Sequence, residues 1–63
     1  MKVTVKQVLE MLSAQGFVED RIKGDHHRFV DQYGHKVTVP YSRLKQEVTL
    51  STYRYIKRQA GNK

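Results

Sequence analysis

Arg21-Ile22-Lys23-Gly24-Asp25-His26-His27-Arg28-Phe29 is the stretch from which the fold can be read. Glycine supplies a backbone conformation that side-chain-bearing residues resist, so Gly24 is the turn-forming residue between two strands. The turn leaves Asp25 and His26 at the mouth of the second strand, where a substrate can reach them. Side chains alternate along a strand, so His27 and Phe29 fall on one side, and His26, Arg28 and Val30 on the other. With Phe29 in the core, His26 lies on the opposite, open face beside Arg28. A slip of one residue would reverse that assignment.

The neighbouring segments extend this hairpin. Phe17-Val18 through Ile22 forms the strand before Gly24. Asp31-Gln32-Tyr33-Gly34 reads as a second hairpin turn, and Val37 and Val39 alternate with Lys36 and Thr38 in a third strand that Pro40 ends. Upstream, residues 4–15 predict an amphipathic helix. Thr4 and Gln7 stand at capping-box spacing, and Val5, Val8, Leu9 and Leu12 trace one apolar stripe before Gly16. Residues 41–47 show no period and read as a connecting loop. Thr49 then caps a second helix, whose packed face is expected to run through Leu50, Tyr53, Ile56, Lys57 and Ala60. The expected fold class is therefore α+β. Its order is α-β-β-β-α in a single small domain over residues 1–63, with a three-stranded antiparallel sheet and both helices on one face.

Composition narrows the partners. Twelve Lys and Arg against six Asp and Glu give a formal net charge of +6 in 63 residues, which attracts polyanions, and nucleic acid above all. A chain this short buries only about 60% of its unfolded surface, so its own core is thin. There is no cysteine, which fits a reducing, cytoplasmic setting. The N-terminal region has no continuous apolar run, so neither a signal peptide nor a membrane association is expected.

Most catalytic constellations are missing. His26, His27 and His35 do not form a metal site, because adjacent strand histidines point to opposite faces and no zinc spacing is present. No metal or other cofactor is expected. No triad, phosphate loop or dinucleotide fingerprint is legible. RNA cleavage by transesterification needs fewer parts, since RNA carries its own nucleophile, the 2′-hydroxyl. An imidazole titrates near neutral pH and can take or give the proton, and cations around the phosphate supply the rest. His26 is the candidate for the proton transfer. Arg21, Lys23, Arg28, Lys36, Arg43 and Lys45 are the candidates for binding RNA phosphates. Taken alone, His26 also reads as an ordinary surface histidine, His27 as a structural one and His35 as solvated. Tyr33 and Tyr41 read either as stacking platforms for bases or as residues packed at strand ends. A non-catalytic RNA-binding module on the same sheet face, and a domain whose charge serves an acidic protein, are the rival readings.

From Val5 to Gly61 the chain resembles the HicA family of toxins. The resemblance is carried by the helix ending in Gly16-Phe17, the turn at Arg21–His27, the Gly34–Pro40 strand and the closing helix with its Gln59-Ala60-Gly61 end. The family pattern is a Gly-Ser-His turn followed by an aromatic residue. Gly24, His26 and Phe29 fill the glycine, histidine and aromatic places, and Asp25 stands where serine is commoner. The resemblance implies a double-stranded-RNA-binding-like fold and metal-independent cleavage of mRNA that halts growth, with the motif histidine essential. It also implies a cognate HicB antitoxin that masks the active site, with operator DNA bound only through the antitoxin complex.

Overall fold

The computed structural model describes residues 2–61. The order is β1 (Val3–Thr4), α1 (Val5–Ala14), β2 (Val18–Lys23), β3 (His26–Val30), β4 (Lys36–Pro40), β5 (Glu47–Val48) and α2 (Leu50–Gln59). Helix α1 starts where its capping residues place it. Thr4 Oγ1 accepts from the Gln7 N–H at 3.3 Å, and Gln7 Oε1 accepts from the Thr4 N–H at 2.9 Å. Val3 and Val8, on either side of that cap at the positions of a hydrophobic staple, both join the core. At the other end the Gly16 N–H donates to Ser13 O at 3.0 Å and the Phe17 N–H to Leu12 O at 2.9 Å. This is the Schellman pairing, and it turns the chain so that Phe17 packs into the same core as Leu12.

Strands β2, β3 and β4 form an antiparallel sheet in that order. Phe29 and Val37 are directly opposite each other, and Val39 is opposite His27. Phe29, Val37 and Val39 are buried on one face, where they meet Val8 and Leu12 of α1 and Ile56 of α2. Burying each of these side chains contributes about 1.5–3 kcal/mol. Both helices therefore cover one sheet face, and the other stays open, as the alternation of the strands requires.

Strand β2 is an exposed edge along its whole length. The β2–β3 pairing shifts between Glu19 and Arg21, a bulge centred on Asp20. A bulge and a row of charges both blunt an unpaired edge against pairing with other chains.

The structure corrects the expectation of a plain loop over residues 41–47. Val3 pairs with Val48 and Thr4 with Glu47 in a small antiparallel sheet. The preceding residues finish the cap of α1: the Val5 N–H donates to Gln46 O at 2.8 Å and the Lys6 N–H to Leu44 O at 3.1 Å. The first amides of a helix have no partner within it, and this connection supplies them. Helix α2 begins at its Thr49 cap, whose hydroxyl accepts from the Thr52 N–H at 3.1 Å. Ile56 and Ala60 are buried as expected, but Leu50, the first residue of α2, is exposed. Among the described residues no helix is long and apolar enough to cross a membrane.

Candidate active site

The β2–β3 hairpin closes through the two residues Gly24 and Asp25, with φ +61° at Gly24 and no positive φ at Asp25. Positive φ at the first loop residue alone is the pattern of a type II′ turn, which matches the twist of the flanking strands. Nothing stands within 4 Å of where a Gly24 Cβ would be, so backbone conformation rather than space selects glycine there. His26 opens β3 directly after the turn. Its side chain is 65% exposed, and its Nε2 lies 3.6 Å from Asp25 Oδ1, close enough for charge attraction but too long for a hydrogen bond.

The register decides which cations join it. Lys23 and Pro40 flank His26 on the two neighbouring strands, Arg21 and Thr38 flank Arg28, and Lys36 lies opposite Val30. Directly opposite residues project to the same face. The open face therefore gathers Arg21, Lys23, His26, Arg28 and Lys36. Arg43 and Lys45 are different: they sit in the connection after β4. Lys45 lines a cavity of about 370 Å³ with Thr4, Lys6 and Leu44 near the start of α1, and none of these residues belongs to β2, β3 or β4.

Arg28 is already engaged. Its guanidinium donates to Asp20 Oδ2 at 3.0 Å, while its Nε is buried without a partner. The sequence offered no sign of this pair. Strict alternation would put Asp20 on the face away from Arg28, and only the bulge brings the two together.

His27 lies on the helix side of the sheet, as the alternation predicts. Its ring stacks on that of Tyr41, with centroids 3.8 Å apart and planes at 15°. Glu19 Oε2 is 3.8 Å from His27 Nδ1, an atom that is buried and has no hydrogen-bond partner. Tyr41 is thus packed at a strand end, and Tyr33 is exposed. Burial, and after it the Glu19 carboxylate, pushes the Tyr41 hydroxyl up, so it stays neutral.

His35 departs from the solvated histidine expected. Its Nδ1 donates to Asp31 Oδ2 at 2.8 Å, and Asp31 Oδ1 accepts from the N–H groups of His35 at 2.8 Å and Tyr33 at 3.0 Å. Gly61 lies against the other side of the ring, where a Cβ would stand 3.0 Å from Nε2. The cluster joins the β3–β4 turn to the end of α2. Desolvation pushes the Asp31 carboxyl up, but the bonds from His35 and the backbone outweigh it and hold it below its ordinary range. A depressed folded value means stability that is complete above the unfolded carboxyl value, ~3.9, and lost as pH falls through the lower folded value. Thermal melts are expected to show an acid-limb loss below about pH 4 that is smaller in Asp31→Asn. An unchanged acid limb in that variant would exclude Asp31 as its source.

These elements define a small basic α+β domain that presents an exposed histidine among cations on an open sheet face. The chain matches the family model described as HicA toxin of bacterial toxin-antitoxin over residues 5–61, and it belongs to the HicA toxin family. It is therefore the toxin of a toxin–antitoxin module, with an antitoxin as its partner. No curated protein matches the chain.

Proposed function

We propose that this toxin is a metal-independent endoribonuclease of the cytoplasm that cleaves mRNA and so stops growth, with His26 as its catalytic residue. The observation that carries the reading is the shared open face of His26, Lys23, Arg21, Arg28 and Lys36, fixed by the strand register. A phosphate held by these cations beside His26 needs only a proton acceptor or donor for reaction. The 2′-oxygen attacks the adjacent phosphorus, the P–O5′ bond breaks, and the products are a 2′,3′-cyclic phosphate and a 5′-hydroxyl. His26 takes the proton released by the 2′-hydroxyl or delivers one to the departing 5′-oxygen. Gly24 shapes the turn that presents it, and the cations offset the charge that builds on the phosphoryl oxygens. Arg43 and Lys45 extend the RNA contact beyond the sheet. The antitoxin is of the HicB type; it covers this face, and operator DNA is bound only through the toxin–antitoxin complex.

The test is incubation of the purified chain with end-labelled RNA in EDTA. Fragments ending in cyclic phosphate support the reading. RNA that is bound yet stays full length supports a non-catalytic binding module instead.

Asp20 gives a second, quantitative test of the binding face. It competes with RNA phosphate for Arg28. An exposed ion pair of this kind is worth up to about 1 kcal/mol, so Asp20→Asn is expected to tighten RNA binding by up to about fivefold. It should also steepen the dependence of binding on salt, read by fluorescence anisotropy of a labelled RNA. Weaker binding by Asp20→Asn would contradict the placement of Arg28 in the phosphate site.

A further inference from the structure

We propose that Tyr41 is a positioning residue for His26. Its ring lies stacked on His27, and its backbone N–H is bound to the carbonyl of Asp25, so that together they hold the turn from which the catalytic imidazole projects. The inference rests on the catalytic reading of His26.

The position of the turn shows why an anchor is needed. His26 is the first residue of β3, where a strand frays, and its neighbour on β4, Pro40, is the last residue of that strand. The Tyr41 N–H donates to Asp25 O at 2.8 Å. His26 and Pro40 are therefore a non-hydrogen-bonded pair, flanked by a hydrogen-bonded rung between Asp25 and Tyr41. That rung is the last of the β3–β4 ladder, and it grips the turn itself.

The side chain adds a second hold. His27 follows His26, and adjacent strand residues project to opposite faces from one short piece of backbone. Fixing the His27 ring against the flat face of Tyr41, at 3.8 Å and 15°, fixes that backbone and with it the direction in which His26 leaves the sheet. The His27 side chain is only 15% exposed, so its ring has little freedom beneath the stack. His26 itself is 65% exposed and among the described residues has no hydrogen-bonded partner to orient it, with Asp25 Oδ1 at 3.6 Å. Its orientation comes from the backbone below, and Tyr41 is the residue that touches that backbone and the His27 ring together. A displacement of about 1 Å at a reacting group can cost on the order of a hundredfold in rate, so a loosened turn has a measurable effect without contact between Tyr41 and RNA.

The experiment compares the full chain with Tyr41→Phe, Tyr41→Leu, Tyr41→Ala and His26→Ala on a short fluorogenic RNA. Leu keeps apolar bulk without a ring, so it reports on the stack even where Ala unfolds. Tyr41→Leu and Tyr41→Ala should lower kcat by about ten- to a hundredfold with KM within about threefold. Tyr41→Phe, which keeps the ring and the N–H, restores the rate. In the proton NMR spectrum the His27 ring signals should lie upfield in the parent chain and in Tyr41→Phe, and move downfield in the Leu variant. A Leu variant that has lost the upfield shift yet cleaves at the full rate overturns the proposal. So does a Phe variant that is folded, stacked and as slow as Leu. If His26→Ala cleaves at the full rate, the catalytic reading itself fails. If His26→Ala is inactive while Tyr41→Leu is fully active, only the positioning role fails.

Discussion

On the proposed mechanism, His26→Ala should lower the RNA cleavage rate of this toxin by at least about a hundredfold, because general acid–base catalysis supplies about 10²–10⁴. The residues that flank His26 and Arg28 on the neighbouring strands are lysine, arginine, threonine and proline, whose side chains do not exchange protons readily at neutral pH. Of the nearby carboxylates, Asp20 is paired with Arg28, while Asp25 lies 3.6 Å from the imidazole it would have to replace. His27 cannot substitute, because it projects to the helix side and is covered by Tyr41. The loss should appear in the chemical step. If the grip on RNA rests on the cations, as proposed, the affinity of His26→Ala for uncleaved RNA should change by less than about threefold, with the same salt slope. Folding should be little affected, since substitutions at exposed positions usually stay within about 0.5 kcal/mol. Single-turnover cleavage, RNA binding and a melting curve on the same preparation separate these effects. Full-rate cleavage by His26→Ala would require another proton-transfer group.

The second large effect falls on stability. Leu12 is fully buried where α1, Phe17, β3 and β4 meet. Truncating such a leucine to alanine costs about 2–5 kcal/mol, through lost transfer free energy and the cavity left behind. A chain of 63 residues has about 3–9 kcal/mol of total stability at ordinary values per residue. Leu12→Ala therefore removes from about a fifth to all of the stability and can leave the chain largely unfolded at 37 °C. Denaturant melts should show a lower midpoint with a similar slope. A partner that binds only the folded form shifts the balance back, so antitoxin should raise the midpoint of the variant in proportion to its concentration. A loss below about 1 kcal/mol would mean that the cavity collapses freely or that Leu12 is not at the centre of the core.

The sequence carried the parts of this fold that have a period or a cap. Thr4 and Gln7 announced α1, Val5, Val8 and Leu12 marked its buried side, and Gly24 located the hairpin. The alternation through His26, His27, Arg28 and Phe29 then assigned one histidine to each face, and the structure has that arrangement. The small sheet of Val3–Thr4 and Glu47–Val48 escaped notice because two residues have no period, and its pairing joins opposite ends of the chain. Leu50 suited a packed helical stripe by spacing, yet tertiary placement leaves it exposed. At the site, the cations of the strands were legible, while the contacts that organise them were not. The Asp20–Arg28 pair depends on a bulge, and the Tyr41–His27 stack depends on where the chain leaves β4. Neither is a property of neighbouring letters. Asp31 and His35 were closer to view, four residues apart across a turn, but only the folded chain shows the carboxylate taking both backbone amides and the ring.

The most direct test of the central claim is expression of the chain and its His26→Ala form from a tightly controlled promoter, with growth and transcript integrity followed together. Growth arrest with transcript cleavage by the parent chain, and neither by His26→Ala at equal protein level, is the result predicted for a histidine-dependent ribonuclease toxin. Arrest by both forms with intact transcripts would contradict it and point to toxicity through binding alone.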